Sequence, residues 1–95
     1  MFFNFKKKWV GRELVKKLSK IVDHCETCGE GFYSEEGLHE LKKLGIELQK
    51  FVENHMDSIP AEYLLNCYQV GNTFSKLATI RLEELEVDKK IIRYT

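Results

Sequence analysis

A single proline, Pro60, stands in 95 residues. Proline inside a helix removes a backbone hydrogen bond and clashes with the preceding turn, so a chain nearly without it can run long, uninterrupted helices. The apolar residues use that freedom. At 100° per residue they collect on one side of three segments. From Lys7 to Glu26 the stripe is Val10, Leu14, Val15, Leu18, Ile21, Val22 and Cys25, with the lysines opposite. From Glu35 to Met56 it is Leu38, Leu41, Leu44, Leu48, Phe51, Val52 and His55. From Pro60 to Val87 it is Tyr63, Leu64, Cys67, Tyr68, Val70, Phe74, Leu77, Ala78, Leu82 and Leu85. The third stripe spans about half the helix circumference, wide enough for two neighbours.

The punctuation agrees with these bounds. Gly29 and Gly31 interrupt the first pattern. Ser34 can accept a hydrogen bond from the next helix's unpaired amides, and Glu35 and Glu36 suit its positive end. Asp57 and Ser58 ahead of Pro60 form a second start signal. The short link between the second and third helices requires them to be antiparallel. Gly71, Ser75 and Ala78 share one side of the third helix, which predicts the tightest helix contact at that level. The expected fold is an all-α, antiparallel three-helix bundle, up-down-up, in one domain covering residues 1–95. The tail, residues 88–95, reads as a final helical turn folding back, a short strand, or an arm docking on a second subunit. A third helix of about 42 Å outreaches the first, so its end calls for cover from another chain.

Composition bounds the function class. An apolar fraction of 43% with 32% charged is that of a folded domain. No apolar run approaches the roughly 18–20 residues that span a bilayer, and the start, MFFNFKKKWV, has its charges after the apolar cluster, the reverse of a secretory signal. With three cysteines besides, a reducing cytoplasm is the expected setting. The zero net charge conceals a split. Residues 1–20 carry seven Lys or Arg against Glu13, giving +6, and residues 21–40 carry six Asp or Glu and no Lys or Arg, giving −6. Such polarity suits an electrostatic partner at one end or head-to-tail pairing of two copies.

The stretch HCETCGEGFYSEEGLHEL, residues 24–41, raises the question of metal. Cys25, Cys28, Phe32 and Leu38 are spaced so that this segment resembles the front half of a two-Cys, two-His zinc finger. The resemblance implies a zinc-stabilised knuckle and a nucleic-acid-binding module. The histidine positions of that pattern fall on Leu41 and on Gly45 or Ile46. Candidate ligands near the bend are His24, Cys25, Cys28 and His39, with a second chain as an alternative source. The competing reading places Cys25 and Cys28 as core thiols continuing the first stripe. A redox pair is disfavoured, since the CxxC follows a helix beside Glu26 and Glu30, whereas a low thiol pKa needs a helix N-terminus or nearby cations. His55 and Cys67 read as core residues.

Trp9 is the outlier of the first helix, on the side of Arg12, Lys16 and Lys20, behind Phe2, Phe3 and Phe5. An aromatic among cations suits a protein interface, a nucleic-acid surface or a membrane-surface helix, or it folds back over the bundle's end. Ile91, Ile92 and Tyr94 in the tail, and Leu65 and Ile80 on the third helix, are further contact candidates. No Ser-His-Asp arrangement with supporting context, glycine-rich phosphate loop or paired-carboxylate motif with a histidine is read, so no catalysis is expected. The expectation is a non-enzymatic helical protein that binds a protein partner or its own copy. A zinc-stabilised nucleic-acid-binding module and a membrane-associated, immunity-type helical bundle are the alternatives.

Overall fold

A computed structural model describes residues 2–27 and 34–94, with side-chain placement for 7–26 and 34–91. It contains three α-helices, α1 (Phe2–Thr27), α2 (Glu35–Asn54) and α3 (Ala61–Tyr94), with a 3-10 turn at Met56–Ser58 between the last two. Among the described residues there is no strand.

The helix starts follow from local chemistry. Ser34 caps α2: its Oγ accepts from the amide of Gly37 at 3.0 Å, and its carbonyl accepts from that of Leu38 at 2.9 Å. Pro60 opens α3, its carbonyl accepting from Tyr63 and Leu64, both at 3.0 Å. Two bounds exceed the sequence expectation. α1 starts at Phe2, because LysLysLys is a good helix-forming run. α3 continues through Tyr94, so the tail is helix, neither a strand nor a turn folding back. Nothing in VDKKIIRY breaks a helix, and Lys89 reaches Glu35 at the start of α2, Nζ to Oε2 2.7 Å, which holds the end of α3 in line.

Three contacts fix the topology. Trp9 near the start of α1 meets His55 at the end of α2. His24 near the end of α1 donates from Nε2 to the carbonyl of Gly37, 2.9 Å away, at the start of α2. Glu35 and Lys89 join the opposite ends of α2 and α3. The order is therefore up-down-up, as the short links require.

α2 is the shared neighbour. Its Leu38, Leu41, Leu48 and Val52 are fully buried, with Val10 and Ile21 of α1. Each such side chain contributes on the order of 1.5–3 kcal/mol by leaving water. α2 and α3 meet most closely where both have glycine. A β-carbon on Gly45 would lie 2.7 Å from the carbonyl oxygen of Gly71 and 2.9 Å from the amide nitrogen of Ser75. The seam expected at Gly71, Ser75 and Ala78 is thus present, with all three buried. Gln49 bridges it, its Nε2 3.4 Å from the Asn72 Oδ1 and its Oε1 the same distance from the Ser75 hydroxyl.

α1 packs on α2 and on the 3-10 turn but hardly touches α3. That overturns two placements. Val15 and Val22, read as core, are 61% and 52% exposed. Their stripe was counted as one face, but α2 takes only the sector of Val10, Leu14 and Ile21, and the adjoining sector is left open. The molecule is long and narrow, 65 × 22 × 17 Å.

Candidate functional site

The open sector of α1 and the first turns of α3 bound a groove of about 660 Å³. Gly11, Leu14, Val15 and Leu18 form one wall, Tyr63 and Cys67 the other, and Ile59 with Pro60 closes one end. The walls are apolar because α1 has apolar residues over more of its surface than a single neighbour can take. Gly11 adds depth: a β-carbon there would meet nothing within 4 Å. Lys7 lines the groove, and Lys8 and Arg12 are exposed on the same helix. Cys67 is buried in the far wall, and burial pushes its thiol pKa up, so it stays protonated at neutral pH.

Of the readings of Trp9, the one in which the ring folds back over the end of the bundle fits its contacts. Its ring lies 5.5 Å from that of His55, edge-on, and 6.1 Å from that of Phe51. Phe51 and His55 are themselves 4.5 Å apart, and the Lys17 ammonium sits 5.0 Å above the Phe51 ring. The indole is long enough to reach around α1 and cover the end of α2, leaving 48% of the residue exposed. His55 is part of this cluster, with Nδ1 buried and making no hydrogen bond among the described residues. Arg12, Lys16 and Lys20 lie on the exposed side of α1, Lys16 paired with Glu13 at 3.4 Å. The side chains of Phe2, Phe3 and Phe5 lie outside the described placement.

The proposed metal ligands are only partly within view. Cys28 lies outside the described residues. Cys25 packs partly buried against the core. The Nε2 of His24 holds its proton in the bond to Gly37, since a carbonyl only accepts. His39 is exposed on α2, one turn from Glu35, as the wheel expects. Among the described residues no group of three or more His, Cys, Asp or Glu is placed to hold a metal ion.

In the tail, Ile91 is exposed on α3, and the side chains of Ile92 and Tyr94 lie outside the described placement. Leu65 is exposed beside Met56, in a shallower apolar depression of about 370 Å³. Ile80 is exposed as expected. Among the described residues no helix is long and apolar enough to cross a membrane.

No protein-family model matches this chain, and no curated protein or solved structure is significantly similar to it.

Gly11 and Val15, which shape the groove, were absent from the contact residues expected from sequence. The signal was there in the width of the α1 stripe, seven apolar or cysteine positions where one neighbour needs three or four.

Proposed function

We propose that this chain works by binding another protein, without catalysis, and that the groove between α1 and α3 holds an amphipathic segment of the partner. The observation that supports this reading is Val15, exposed on an apolar wall directly beside the basic face of α1. A partner helix laid in such a groove buries its apolar side, and acidic residues on its flank meet Lys7, Lys8 and Arg12. The mixed wall suits recognition by shape and charge. The cysteines fit a reducing, cytoplasmic setting, where Cys67 remains a buried thiol.

The test is photo-crosslinking in cells. A photoreactive amino acid at Val15 is expected to give a discrete covalent adduct, and the same group at Lys20, exposed about 140° further around α1, is expected not to. Equal labelling from both positions, or none from Val15, contradicts the groove as the binding site.

A further inference from the structure

α3 has a second face that is largely exposed among the described residues. The buried face runs through Cys67, Gly71, Ser75 and Ala78 against α2. On the far side, Tyr63, Val70, Leu77, Ile80, Val87 and Ile91 recur on alternating steps of three and four residues. Asn66, Thr73 and Glu84 complete the series without a break in register. This is the spacing of a coiled-coil seam, sustained for about 42 Å. Of the apolar members only Val70 is half-buried; the rest are exposed, Ile80 by 53% and Val87 by 54%.

The polar and charged residues on and beside the seam indicate what covers it. In a parallel pair of such helices, Glu84 would face its own copy. On the flanks Lys76 would meet Arg81 and Glu83 would meet Asp88, so every charged flank contact would be repulsive. An antiparallel pair centred between Leu77 and Ile80 reverses this. Leu77 then faces the partner's Ile80, and Val70 faces the partner's Val87. Thr73 faces the partner's Glu84, so the hydroxyl can donate to the carboxylate. On the solvent flank Lys76 meets the partner's Glu83, and two-fold symmetry forms that pair twice. Apolar positions meet apolar ones at the centre, and opposite charges meet beside them.

We propose that two copies of this chain associate through the far face of α3, antiparallel, about a two-fold axis between Leu77 and Ile80. This contact is separate from the groove, sharing only Tyr63 at its edge. Failure of one surface therefore leaves the readout of the other unchanged: a monomeric chain still forms the Val15 adduct, and loss of the adduct leaves the mass unaffected.

Sedimentation equilibrium over a rising concentration series tests the pairing. The mass is expected to move from 11.2 kDa to twice that value, 2 × 11.2 = 22.4 kDa. Leu77→Glu/Ile80→Glu is expected to stay at the monomer mass with an unchanged helical circular-dichroism spectrum, because both side chains are exposed in the single chain. Lys76→Glu is expected to weaken association about tenfold at low salt, through two repulsive pairs, and Lys76→Glu/Glu83→Lys to restore it. A wild-type chain that remains monomeric at about 500 μM, a dimer indifferent to Leu77→Glu/Ile80→Glu, or a charge swap that fails to restore association overturns the proposal.

Discussion

Gly45 and Gly71 face each other across the α2–α3 seam so closely that a β-carbon on either would lie 2.7 Å from the other's carbonyl oxygen. Backbone is on both sides of this contact, so neither helix can yield by moving a side chain.

Alanine at either position must push the helices apart. Gly45→Ala and Gly71→Ala are each expected to destabilise the chain by about 1–3 kcal/mol, the usual range for overpacking, despite alanine's better helix propensity. Gly11→Ala makes the opposite case. Its site is open and helical, so it is expected to gain about 0.5–1 kcal/mol. Urea melts of the three variants check the contrast in sign.

Leu48 is fully buried at the centre of α2 and Val15 is mostly exposed on α1. Leu48→Ala is expected to cost about 2–5 kcal/mol through lost burial and the cavity left behind. Val15→Ala is expected to change stability by less than about 0.5 kcal/mol, although both residues belong to apolar stripes. Chemical denaturation measures both.

The Glu35–Lys89 pair sets a pH dependence of known sign. The hydrogen bond from Lys89, then its charge, lowers the Glu35 pKa, and the same bond and charge raise that of Lys89. The carboxylate's contribution is complete above the unfolded glutamate pKa and fades as pH falls through the lowered folded value. The ammonium's is complete below the unfolded lysine pKa and fades as pH rises through the raised folded value. Glu35→Gln is thus expected to melt slightly below wild type across the neutral range and to converge with it at both extremes. Both side chains are exposed, so about 1 M salt should shrink the difference. Melting temperatures against pH, at low and high salt, follow it.

Cys67 lies within the fold with its thiol pKa raised by burial. The thiolate is the nucleophile, so iodoacetamide at neutral pH is expected to modify Cys67 much more slowly in the native chain than in the denatured one. Peptide mass mapping over a time course reads the ratio.

Much of the fold is legible because it depends on periodicity. The α2 stripe from Leu38 to Val52 is buried as read, Ser34 caps the helix as its position predicts, and Gly71, Ser75 and Ala78 mark the close seam. Gly45, the other half of that seam, was not anticipated. Glycine has no hydropathic signal, although its place between Leu41 and Leu48 on the same face would have revealed it. Val15 and Val22 were misplaced for a different reason. A helical wheel gives the direction of a stripe, but the number of neighbours to fill it depends on how helices assemble. Trp9 shows a third limit: a Cα direction does not fix where a large ring ends up. The groove and the far face of α3 both come from that assembly, because α2 takes one sector of each neighbour and leaves the adjoining sector open.

Native-state hydrogen exchange tests most directly whether α2 is the spine on which the other two helices separately lie. The slowest amides are expected between Leu41 and Val52 of α2 and between Gly71 and Ala78 of α3, with α1 opening at clearly lower free energy because it has a single helical neighbour. Protection in α1 equal to that of α2, showing α1 packed against both other helices, would contradict it and close the groove.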